Sequence, residues 1–209
     1  MEKYDFQVGD DLICSGDSRA SNVIKRMNRF SGTQGEAAEM THVAMILRPP
    51  VFTYKEGFQV FDSTSIGYTG IKGVQMNPFE EWLENYNGHV WWVHYNMERT
   101  VSFEQEFLAT ALSKLGTPYE SGIAGGFELF LAGLRLDRIV RYIFPRYNPC
   151  STHKLHCSEL NVILKKHMGM LNSDAIASRM PPCEYWPGGE LYRYFTTVVR
   201  GAEFPVQLK

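Results

Sequence analysis

The chain has 209 residues, 44% of them hydrophobic and 13% aromatic, which is enough apolar surface for a folded core and argues against disorder. Its 21 basic and 23 acidic side chains give a formal net charge of −2, so no global basic field recommends nucleic acid as a partner. Four cysteines at irregular spacing do not form a disulfide scaffold, and no stretch reaches the ~18 apolar residues of a membrane span.

The start, Met1 to Asp5, is charged and lacks the apolar centre of a secretory signal, so a reducing, cytoplasmic setting is the expectation. Residues 8–14 read as a turn feeding a short buried strand. Asp17 or Ser18 caps a predicted helix whose apolar face is Val23, Ile24, Met27 and Phe30, with Arg19, Lys25, Arg26 and Arg29 on a solvated face. Thr41 to Leu47 is a continuous apolar strand stopped by Arg48-Pro49-Pro50. Phe58 to Thr64 is the next strand, antiparallel to it and joined through residues 54–57.

Gly73 to Met76 is a third short strand, and Asn77 and Pro78 start a helix holding Phe79, Trp82 and Leu83. His89 to Tyr95 is rich in strand formers. Ser102 followed by Gln105 has the form of a capping box, opening a helix with Phe103, Phe107, Leu108, Ala111, Leu112 and Leu115 on one face. Gly116-Thr117-Pro118-Tyr119 ends it. Residues 120–155 read as a helical insertion, and a last strand is predicted over Tyr192 to Val199. Helices on an antiparallel sheet make this an α+β fold, taken as a single domain over 1–209.

The chemistry centres on His156-Cys157-Ser158-Glu159-Leu160. Leu160, Ile163, Leu164 and Met168 fall at helical spacing, so Cys157 stands where a helix begins. The unpaired amides and positive dipole end of a helix favour thiolate over thiol, and the thiolate is the nucleophile. Such a nucleophile needs a base and a group to orient it. His42 opens one predicted strand and Asp62 lies near the end of the adjacent one. A zinc reading competes, since Cys150, His153, His156 and Cys157 are all within eight residues, though without paired Cys-x-x-Cys spacing. A Cys150–Cys183 disulfide is a weaker alternative. An inert buried cysteine is a third.

Several segments together resemble one family. Leu115-Gly116-Thr117-Pro118-Tyr119 followed by Cys157-Ser158-Glu159-Leu160 is similar to the Gly-x-Pro-Tyr and Cys-Ser units of the NlpC-like cysteine peptidases. Gly9-Asp10-Asp11-Leu12-Ile13, Thr41-His42-Val43-Ala44-Met45 and Val60-Phe61-Asp62 resemble their Gly-Asp, histidine and third-residue strands. With the cysteine unit last, the order resembles the circularly permuted, YiiX-like branch of papain-type folds, and the His-before-Cys order of lecithin:retinol acyltransferase relatives.

The resemblance implies Cys157 as nucleophile, His42 as general base and acid, and Asp62 as the residue orienting His42. It further implies Tyr119, Ser158 and Glu159 around the oxyanion and substrate, with no metal and no cofactor. Asp62 departs from the family, whose members more often carry His, Asn, Gln or Glu there. The substrate class it implies is a peptide amide or an acyl lipid, with peripheral lipid contact through the insertion. The alternatives are a lipid-directed acyltransferase or thioesterase, and a non-catalytic binding or structural module.

Overall fold

A computed structural model describes residues 4–49, 57–65, 70–119, 155–177 and 180–209. Among these, β1 (Asp11–Gly16), β2 (His42–Leu47), β3 (Gln59–Thr64), β4 (Gly73–Pro78), β5 (Gly88–Val93) and β6 (Val206–Gln207) form one sheet in the order β4-β3-β2-β1-β5-β6. Every pairing is antiparallel. The helices are α1 (Arg19–Phe30), α2 (Phe79–Asn85), α3 (Val101–Leu112) and α4 (Cys157–His167).

Strand side chains alternate between faces, so the register sorts the core into two layers. Ile13 opposite Val43 and Met45 opposite Phe61 point to the face covered by α3 and α4, through Phe107, Leu160 and Leu164. Leu12 opposite Ala44 and Ile46 opposite Val60 point to the other face, with Phe79 and Trp82 of α2 and Phe6 and Phe58. Both faces are buried, which is why β2 reads as an unbroken apolar run rather than an alternation.

The Asp10-Asp11 pair works in two directions from one turn. Asp10 accepts from Arg99 Nη2 at 2.6 Å and Trp92 Nε1 at 2.9 Å, fastening the start of β1 to β5 and the segment after it. Asp11 accepts from Asn161 Nδ2 at 2.6 Å, from Tyr95 and from the buried Lys165 ammonium, fastening β1 to α4. Lys165 also lies 3.8 Å from the Tyr95 ring centroid. Burial pushes the Asp11 carboxyl up and the Lys165 amine down, and each charge draws the other back toward ionisation.

Three sequence expectations are corrected here. The α3 cap is Thr100, not Ser102: its hydroxyl accepts from Phe103 N at 3.2 Å, two residues earlier than the capping-box pattern. Tyr192 to Val199 is not a strand. Glu190–Tyr194 is a 3-10 turn closed by an Arg193–Glu190 pair at 2.6 Å, and the edge strand is β6, beside β5. The apolar face of α1 does not pack on the core. Asn28 is the buried residue, 5% exposed, and its amide donates to the carbonyls of Ala38 (3.1 Å) and Met40 (2.9 Å). Ser18 caps α1, accepting from Ser21 N at 3.0 Å.

The predicted insertion lies outside the described residues up to its last position, Leu155, as do Cys150 and His153 and the 54–56 part of the β2–β3 connection. The chain departs and returns at one place: Leu155 N donates to Pro118 O at 3.0 Å. No described helix is long and apolar enough to cross a membrane.

Candidate active site

His42 is the first residue of β2, opposite Cys14 of β1. Continuing the β2–β3 register places Asp62 opposite Ala44, on the same face as His42 and diagonal to it. His42 Nε2 lies 3.0 Å from Asp62 Oδ2. Asp62 is 3% exposed, while the His42 side chain keeps 15%. Trp82 Nε1 of α2 donates to the same carboxylate oxygen at 3.4 Å. Asp62 Oδ1 is buried with no protein partner.

Cys157 reaches this point from the other face as the first residue of α4. Its helix is anchored on both sides of the thiol. His156 is the N-cap, its Nδ1 accepting from Glu159 N at 3.2 Å, and Ser63 Oγ of β3 donates to Leu155 O at 2.6 Å. With Nε2 held by Asp62, the His42 ring lies close enough to the Cys157 thiol for each side chain to shift the other's protonation. The backbone N–H groups of Val43 and Ser158 also face that sulfur.

Electrostatics favour an ion pair. Burial alone pushes the Cys157 thiol up, but the His42 charge, its hydrogen bond and the two amides outweigh burial and hold the thiol below its ordinary range. Burial alone lowers His42, and the facing Cys157 sulfur and Asp62 carboxylate raise it well above the ordinary imidazole range. Thiolate and imidazolium therefore stabilise each other. The Glu159 carboxylate lies 3.9 Å from His156 Nδ1 and does not offset burial. Burial brings His156 down to about 4, so it stays neutral and keeps its capping lone pair.

A cavity of about 330 Å3 opens onto this trio. Its walls include Gly16, Ser18 and Ile24 from the β1–α1 side, and Trp82, Tyr86 and Tyr119 opposite. Tyr119 is half-buried near Cys157 and Asp62, and desolvation together with both charges keeps its phenol protonated. Ser158 and Glu159 are buried and their side chains are not among the walls; what Ser158 offers the site is its backbone amide. A larger apolar cavity of about 790 Å3, walled by Tyr4, Phe6, Phe79 and Leu208, contains no cysteine or histidine.

Trp82 and Tyr86 were not singled out for the site from sequence. Tyr86 stacks over His42 with 6.4 Å between ring centroids and 23° between planes, and packs on Trp82 at 4.9 Å. Their i, i+4 spacing after Pro78 was the available signal, and it reads as ordinary core packing.

No protein-family model and no curated protein sequence matches this chain. Among solved structures it is similar to the metalloprotein YiiX from Escherichia coli O157:H7, with a TM-score of 0.53 and 14% identity, covering 99% of this chain and 98% of that one. At that identity the likeness is one of fold. The described residues include no group of three or more His, Cys, Asp or Glu arranged to hold a metal ion. Of the candidate zinc ligands, Cys150 and His153 lie outside the described residues, and His156 uses Nδ1 as a helix cap. Cys183 is a free, buried thiol whose burial raises it to about 12.

Proposed function

We propose that this chain is a cysteine-dependent hydrolase of amide or ester bonds, built on a circularly permuted papain-like fold. Cys157 is its nucleophile, His42 its general base and acid, and Asp62 the positioning residue. The observation that carries the reading is the convergence on one strand end of a helix-start thiol, a histidine and a buried carboxylate 3.0 Å behind it.

The Cys157 thiolate attacks the carbonyl carbon, and the C–O double bond opens to an oxyanion. The Ser158 amide at the start of α4 and the protonated Tyr119 phenol are donors available to that charge. Collapse expels the amine or alcohol, which takes the proton from His42 and leaves a thioester on Cys157. A water molecule then gives its proton to His42, attacks the thioester, and releases the acid and the thiolate. Acyl transfer differs only in the nucleophile of this second half.

The test is alkylation of Cys157 by iodoacetamide across pH, located by peptide mapping and compared with His42→Ala. Wild type should react well below the ~8.5 of an ordinary thiol, with His42→Ala displaced toward it. An ordinary titration indifferent to His42→Ala would refute the assignment.

A further inference from the structure

On a helix turning roughly 100° per residue, Ala20, Val23, Ile24, Met27 and Phe30 of α1 occupy one arc of about 120°. In a surface helix such an arc faces the core. Here the contact with the rest of the fold lies about a quarter-turn away and is polar. Asn28 binds the Ala38 and Met40 carbonyls, Lys25 lies 3.9 Å from Glu39, and Arg29 pairs with Glu39. Val23 is left 54% exposed and Phe30 73%. The helix contains four basic residues and no acidic one. Arg19 and Arg26, both exposed, border the Val23–Phe30 edge of the apolar arc.

We infer that α1 is a docking surface for an anionic lipid bilayer, lying in the interface with Val23, Met27 and Phe30 toward the acyl chains and Arg19 and Arg26 on the headgroups. An apolar arc whose Val23–Phe30 edge is exposed and bordered by arginines, on a helix carrying no acid, is the chemistry of an interfacial amphipathic helix. A nucleic acid would use the arginines and leave the apolar arc in water. The first turns of the same helix, Ser18, Ala20, Ser21 and Ile24, wall the Cys157 cavity, so docking brings the mouth of that cavity to the membrane.

Co-sedimentation of the full chain with phosphatidylcholine vesicles, with and without phosphatidylserine, tests this. Binding should require phosphatidylserine and weaken with salt. Val23→Asp with Phe30→Asp should reduce it about ten- to a hundredfold, the scale set by burying an apolar side chain. Arg19→Gln and Arg26→Gln should each cost about fivefold. Both arginines are exposed, so these variants keep the test sound if the apolar double variant melts early. Binding should be unchanged in Cys157→Ala. No turnover is read, so the result is independent of whether Cys157 is a nucleophile. Absence of binding, binding that survives all four substitutions, or self-association that the same substitutions abolish would each overturn the inference.

Discussion

Asp62 and His42 meet through a single carboxylate oxygen, Oδ2, which also takes the Trp82 indole N–H, so one atom orients His42 and ties it to α2. Asp62→Asn should remove the charge that holds His42 up, lowering the His42 pKa and releasing Cys157 toward an ordinary thiol. Trp82→Phe should keep the charge and loosen its aim, a smaller effect, on the order of the ~1 kcal/mol of one hydrogen bond. Thiolate absorbance against pH separates the two. Equal, negligible shifts in both variants would contradict the positioning role.

The Asp11–Lys165 pair makes a different prediction because both groups are wholly buried. Lys165→Met should strand the Asp11 charge and destabilise the fold by about 3–5 kcal/mol. Adding Asp11→Asn should recover much of that loss, since the uncompensated charge is then gone. Urea denaturation of the two singles and the double would show whether they couple, as residues sharing one network do.

His156 should make the protein acid-sensitive. Its folded-state value of about 4 lies below the ~6.5 of an unfolded histidine. Above pH ~6.5 neither state is protonated, and its contribution to stability is intact. As the pH falls, the unfolded chain takes the proton first. The loss grows to roughly 3 kcal/mol at pH 4 and is about 2 kcal/mol at pH 5. His156→Asn retains a helix-capping acceptor without the titration. Its stability relative to wild type should therefore rise between pH 7 and pH 5, and a difference independent of pH would contradict the assignment.

Gly73 adopts a φ of +119°, and a Cβ there would run into the Thr117 carbonyl oxygen, which Val74 N uses at 2.8 Å. Gly73→Ala should cost about 1–3 kcal/mol from backbone strain alone. It should also displace the 116–118 segment that carries Tyr119 into the cavity. Thermal melting checks the first effect. Alkylation kinetics at Cys157 check the second.

Much of this arrangement was legible in the sequence because it rests on short-range periodicity. The apolar run after His42 forces a buried strand, and two strands close together in the chain put His42 and Asp62 on one face. The helical spacing after Leu160 places Cys157 at a helix start. Features decided by tertiary contact were not legible. Nothing local says that Asn28 would outcompete Val23 and Phe30 for the interior, since the carbonyls of Ala38 and Met40 that satisfy it come from the 3-10 turn that follows. Thr100 takes the cap from Ser102 because the chain turns into α3 two residues early. Tyr192 to Val199 has the composition of a strand, but β6 takes the place beside β5.

The Leu155–Pro118 hydrogen bond has an architectural consequence. It ties together the two ends of the connection between Tyr119 and Leu155. Loop-closure entropy rises only logarithmically with length, by about 0.6 kcal/mol per doubling. That connection can therefore be lengthened, trimmed or exchanged at little thermodynamic cost, while the hydrogen bond keeps Tyr119 and Cys157 in step. The register between Tyr119 and Cys157 thus rests on one backbone contact and not on the length of chain that joins them.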